Sequence, residues 1–223
     1  MSVIESPTNP LVQMEVDPTY QAERSALFPR EWAKDDNVGG HYKASFRTGL
    51  TTVIAAGGGI LSMRWDSKVL NFILQRLKVT ATITTAFGAA QENSIDIVRL
   101  INYSVADTGG TTLNPLLKAP IKDTKSMAPS SIADLRAATT VALTNGTATV
   151  EASPIAEDAF PIGNTVGLAG TVELLDIRPG EQTGQIFRQN EGFRVRILQT
   201  QGAAGVVVFH FNMEWRESPV SLF

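Results

Sequence analysis

The chain has 223 residues, 43% of them hydrophobic and 18% charged, with a net charge of −3, a pI near 5.5 and no cysteine. The length suits one ordinary domain, or one domain with an arm. The absence of cysteine excludes a disulfide framework, a thiolate metal site and a cysteine nucleophile. The mildly acidic balance offers no basic face for a phosphate backbone, so no nucleic-acid partner is expected. No apolar run reaches membrane-spanning length, so no membrane partner is expected either. The charged fraction lies below the usual value of about a quarter. A chain so short of charge hides surface in partners, uses neutral polar residues, or does both.

The first ten residues, MSVIESPTNP, lack the basic start and apolar run of a secretory signal. Synthesis in a cytoplasm without export by that route is the expectation. Residues 1–39 form a first unit, read as an extended arm. They hold Pro7, Pro10, Pro18 and Pro29 and many charges, without period-two alternation. Asp17-Pro18 predicts a helix start, giving one short helix from Pro18 to Phe28 that Pro29 stops. The apolar residues Val3, Ile4, Leu11, Val12, Leu27, Phe28 and Trp32 are too few for a core of their own. They are therefore the candidate partner-binding residues.

From residue 40 to 223 the pattern predicts strand after strand. Tyr42–Thr48 and Ile60–Trp65 come first, with Gly57-Gly58-Gly59 as a turn between them. Val79, Ala81, Ile83, Thr85 and Phe87 then alternate with Lys78, Thr80, Thr82 and Thr84, which is a β-branched strand with one wet face. Ile95–Val105 follows, then a long loop from Asp107 to Pro129. A loop of that length in a compact domain is usually functional or packed on a partner. Ser130-Ser131-Ile132-Ala133-Asp134 reads as a capped helix start, so a helix of two to three turns is predicted through Leu135 and Ala138. Asn145-Gly146 lies between Val141–Leu143 and Ala148–Val150 and predicts a two-residue hairpin.

Val166–Ile177 is a further strand. At the end, Phe193, Val195 and Ile197 precede the loop Gln201–Gly205. Val207, Phe209, Phe211, Met213 and Trp215 then alternate with Val208, His210, Asn212 and Glu214. These last two strands read as an antiparallel hairpin whose aromatic face is buried. The fold class expected is mainly β: an antiparallel β-sandwich or jelly-roll-like barrel, with one or two short helices and an extended N-terminal arm.

Chemistry-bearing patterns are sparse. His41 and His210 are far apart and lack paired ligands at short spacing, so no metal site is predicted. No serine sits in a nucleophile elbow. Gly57-Gly58-Gly59 lacks the lysine and the following helix that would hold a phosphate. Glu157-Asp158, Glu173 with Asp176, and Glu214 with Glu217 are the candidate carboxylate pairs for a glycosidase, with solvated faces as the plainer account. Trp32, Trp65 and Trp215 could serve a carbohydrate-binding module, though their contexts favour packing. No catalytic residue and no cofactor is assigned, and no small-molecule substrate is expected.

The stretches Ser45–Trp65 (SFRTGLTTVIAAGGGILSMRW), Ala133–Thr144 (ADLRAATTVALT), Gln189–Phe193 (QNEGF) and Asn212–Glu217 (NMEWRE) resemble a group of tailed-bacteriophage virion proteins. The resemblance spans roughly residues 40–223 and carries no catalytic motif. It implies a non-enzymatic particle subunit in the virion. The head-stabilising cement or decoration role is the main expectation, with the major capsid protein and further copies of itself as partners and a trimer as the default homo-oligomer. A neck or tail structural protein, or a receptor (glycan)-binding virion protein, is the alternative. A monomeric sandwich with its arm folded back on itself also fits the composition.

Overall fold

A computed structural model describes residues 3–6, 9–17, 22–24, 40–113, 130–177 and 184–220. The chain is built from strands. Near the N-terminus lie β1 (Val3–Ser6), β2 (Asn9–Asp17) and β3 (Ala22–Arg24). The body begins with β4 (Gly40–Arg47), β5 (Gly58–Trp65), β6 (Leu70–Thr85) and β7 (Gln91–Val105). It continues with β8 (Thr111–Thr112), β9 (Ile132–Ala137), β10 (Thr147–Val150) and β11 (Ala156–Ile162). The last four are β12 (Gly167–Asp176), β13 (Gln185–Phe187), β14 (Glu191–Ile197) and β15 (Val206–Pro219).

Two antiparallel sheets pack face to face as a sandwich, not closed into a barrel. One runs β12-β6-β15-β4, with β13 also on β6. The other runs β10-β7-β14-β5-β9-β8, with β11 also on β7. Strands β4, β6 and β15 of the first sheet alternate over much of their length, whereas β5, β7 and β14 of the second are buried over consecutive residues. Tyr42, Ala44 and Phe46 of β4, Leu77, Val79, Ala81 and Ile83 of β6, and Phe209, Phe211, Met213 and Trp215 of β15 all point inward. They meet Ile60 and Trp65, Ile95 and Ile97, and Phe193, Val195 and Ile197 of the other sheet in one core. Phe72 bridges the layers, with ring centroids 5.5 Å from Trp65, 6.4 Å from Phe193 and 6.0 Å from Trp215. The Trp65 Nε1–H donates to the Leu70 carbonyl at 2.8 Å, so its one polar atom is satisfied inside the core.

Four expectations change. The hairpin of the last two strands does not form. β14 and β15 lie in opposite sheets, and their apolar sides face each other across the core. Gln201–Gly205 is thus a crossover between layers about 10 Å apart. It is fixed by the Gln201 N–H on the Ile54 carbonyl and by Gly205 packed so tightly on Phe87 that a Cβ would fall 2.1 Å from the ring. The predicted helix after Ser130 is strand β9. Leu135 and Ala137 are buried against β5, while Asp134 and Arg136 pair two residues apart on the other face. Period two, read on that face, outweighs the capping pattern.

Asn145-Gly146 is not a hairpin turn. Neither residue has a positive φ, Leu143 bridges to Gly59, and Thr147–Val150 pairs with β7. Gly146 is needed for close approach instead, since a Cβ there would lie 2.0 Å from the Val105 carbonyl oxygen. In the arm, β1, β2 and β3 form a small antiparallel sheet, although the stretch holds four prolines and no period-two alternation. Pro10 falls in the irregular part of the β1–β2 register, where proline is tolerated. Ala22–Arg24 is extended where the Pro18–Phe28 helix was expected. The remaining residues of that predicted helix, 18–21 and 25–28, lie outside the described residues.

Candidate interaction surface

The inward series of β15 does not stop at Trp215. Two residues on, the same parity brings Glu217 to the rim of the core, where it is only 1% exposed. Burial raises its pKa above the ordinary glutamate range, and the donors around it pull part of the way back. Those donors are the Ser130 hydroxyl at 2.6 Å, the Ser131 N–H at 3.1 Å and the Trp215 Nε1–H at 3.2 Å. Trp215 in turn stacks on Tyr42, centroids 5.3 Å apart. Burial, with the Glu217 charge, raises the Tyr42 phenol pKa far above its usual value.

Glu217 thereby ties three parts of the chain together. It is the register partner of Gly40, where the arm joins the body. It holds Ser130-Ser131, where the chain returns from 114–129. Three residues on, Val220 donates its N–H to the Val69 carbonyl. Leu113, the last described residue before that segment, donates its N–H to the Leu135 carbonyl on the neighbouring strand β9 of the other sheet. The N-terminal segment and the 114–129 part of the predicted long loop are therefore both rooted toward one end of a sandwich about 50 Å long, the span of a 16-residue strand.

Of the candidate partner-binding residues, Val3 and Ile4 lie on β1, and Leu11 and Val12 on β2. Leu27, Phe28 and Trp32 fall outside the described residues. Trp65 and Trp215 are wholly buried, as expected.

The carboxylate candidates separate. Glu214 lies on the outer face, bonded to Lys43 at 2.5 Å, whereas Glu217 is internal. Glu173 and Asp176 both face Arg76. Glu157 and Asp158 are exposed on β11. His210 lies on the outer face in a shallow concavity of about 360 Å³ shared with Ser45, Arg47 and Asn212. Gly57, at φ 78°, makes a tight turn that leads into β5. Among the described residues no three metal-ligating side chains converge.

A second buried charge cluster escaped the sequence reading. Asp107 accepts from Arg194 Nε at 2.8 Å and Nη2 at 2.5 Å, and from the Gly146 N–H at 2.8 Å. Its own N–H donates to the Tyr103 hydroxyl at 3.0 Å. Burial alone would raise the Asp107 pKa, but the Arg194 guanidinium and the Gly146 N–H overcome it and hold the carboxyl below its ordinary value. Burial and the Asp107 charge push the Tyr103 phenol up to about 12. Every oxygen of the carboxylate is engaged, so the cluster acts as a clamp that ties β14 to the chain just after β7 and to Gly146 just before β10. Its signal in the sequence was Arg194, a charge flanked by apolar neighbours in a short strand. No protein-family model and no curated protein sequence matches this chain.

Proposed function

We propose that the chain is a non-enzymatic structural subunit of a tailed-phage particle. In this reading it is a cement or decoration subunit that stabilises the head by contacts with the major capsid protein and with copies of itself. The observation that carries the reading is the common root of the N-terminal segment and the 114–129 segment beside Glu217. Two segments whose flanks meet near one carboxylate would let a single subunit grip neighbours on one side. The small β1–β3 sheet adds to this. Among the described residues its strands pair only with each other, and so small a sheet needs a covered hydrophobic face for independent stability, which a partner surface would supply. The low charge and the exposed apolar residues Leu50, Val53 and Val141 fit a surface shared with neighbours.

The test is the copy number of the chain in purified virions by gel densitometry. Hundreds of copies fit a head subunit. A copy number of about a dozen or fewer moves it to the neck or tail, where rings of low symmetry sit, and leaves the receptor-binding alternative open. Absence from virions ends the proposal.

A further inference from the structure

On the outer face of the five-stranded sheet, register places side chains in rows across the strands. Lys43, Glu214, Arg76 and Asp176 form one row. Its charges are satisfied by Lys43–Glu214, Arg76–Glu214 and Arg76–Asp176 contacts, and Arg76 also bonds Glu173. The next rows are Ser45, Asn212, Lys78 and Glu173, then Arg47, His210, Thr80 and Thr171. Here the balance changes. Among the described residues neither Arg47 nor Lys78 has an acid within ion-pair distance, even though Glu173 is the register neighbour of Lys78. Arg47 is exposed on the edge strand β4 and Lys78 is half-buried on β6, two strand spacings or about 10 Å across the sheet. Between them lies the concavity of Ser45, Arg47, His210 and Asn212.

The chain carries its charge unevenly. Residues 1–39 hold seven acids and three bases, a net −4, while residues 40–223 hold 15 acids and 16 bases, a net +1. Glu5, Glu15, Asp17 and Glu23 all fall on the strands of the small sheet, which among the described residues pairs with no strand of the body. We propose that the Arg47–Lys78–His210 face receives the acidic N-terminal segment of a second copy of this chain. The proposal rests on the reading of that segment as a lock between subunits and adds the surface it locks onto.

The competing receiver is the apolar groove of about 520 Å³ at the far end, lined by Phe160, Pro161 and Ile162. Glu92 lines it too, and the exposed Glu157 and Asp158 lie on the same strand. The field there has the same sign as the arm and opposes docking. Because the arm is rooted at one end of β4 and Arg47 stands at the other, the contact is heterologous, of the kind that closes into a ring.

The test is sedimentation velocity on the full chain, on a 2–35 deletion, and on R47E/K78E. The expected result is self-association that weakens with salt, is lost in the deletion, and drops at least about tenfold in R47E/K78E. Mixing R47E/K78E with E15K/D17K should restore association by reversing both signs. Should the charge reversal fail to fold, R47Q/K78Q serves with a smaller drop. Deletion-sensitive association untouched by R47E/K78E overturns this face while sparing the arm as the lock. Association untouched by the deletion overturns both. Loss without rescue in the mixture overturns the arm as occupant, and so does a monomeric full chain at all salt concentrations.

Discussion

Replacing Asp107 with Asn removes the charge that compensates Arg194 and leaves the shape of the site nearly unchanged. Arg194 is 3% exposed and Asp107 is fully buried, so water cannot substitute for the lost carboxylate. Breaking a buried pair from one side costs about 3–5 kcal/mol, because the remaining charge stays desolvated. In a domain of this size each kcal/mol moves the melting temperature by about 2–4 °C, so the variant should melt about 6–20 °C lower. Removing both partners, as in D107L/R194M, should recover most of that loss, since no charge is then stranded.

The pH dependence has a definite sign. The native Asp107 pKa is lower than in the unfolded chain. Its contribution is therefore complete above the ordinary aspartate value and is lost as pH falls through the depressed native value. The wild-type minus D107N difference in melting temperature should shrink across that acidic window and be flat above it. A D107N protein that melts with the wild type at pH 7 would refute the clamp.

Phe211→Ala should cost about 3–5 kcal/mol in urea unfolding, because its ring is buried and stacked on Phe46 at 5.6 Å. An unchanged midpoint would mean that β15 does not face the core. Gly192→Ala should cost about 1–3 kcal/mol or more, because its Cβ would lie 2.0 Å from the Met63 carbonyl oxygen near the start of the β14–β5 pairing. A neutral result there would place the two strands further apart than described. Glu217 behaves oppositely to Asp107. Its raised native pKa means stability falls as pH rises from the ordinary glutamate value through the native one. The melting temperature of the wild type relative to E217Q should therefore climb on acidification through that window, and a constant difference would argue against a buried ionisable group.

The positions of the strands were legible because the two faces of each strand differ. Val207, Phe209, Phe211, Met213 and Trp215 announce both a strand and its inner face, and every one of them is buried. Pairing was less legible. The same alternation serves a strand beside its neighbour in one sheet and a strand opposite it in the other sheet. Hence Phe193, Val195 and Ile197 share the core of β15 without sharing its sheet. Local signals failed where a tertiary contact outweighed them. Ser130 and Ser131 look like a helix cap because they offer a hydroxyl and an N–H. They give both to Glu217, 87 and 86 residues away, and not to a helix turn.

The candidate surface shows the same division between parity and partners. Glu217 could have been recognised as internal, since it continues the inward series two residues beyond Trp215. Its value as a marker lies in its partners, which no spacing foretells. A carboxylate at the core rim is unfavourable unless donors surround it. The donors here come from the flank of the 114–129 segment and from β15 itself, while the arm enters beside it at Gly40. Anchoring Ser130 and Ser131 is thus coupled to burying the charge. E217Q would keep an acceptor but drop the charge, so Ser130 and Ser131 would lose a charge-assisted anchor of the kind roughly twice as strong as a neutral one. Amide exchange at Ser131 should rise in E217Q while the β6–β15 ladder stays protected. Equal protection at Ser131 in both proteins would show that the segment is held by something other than this carboxylate.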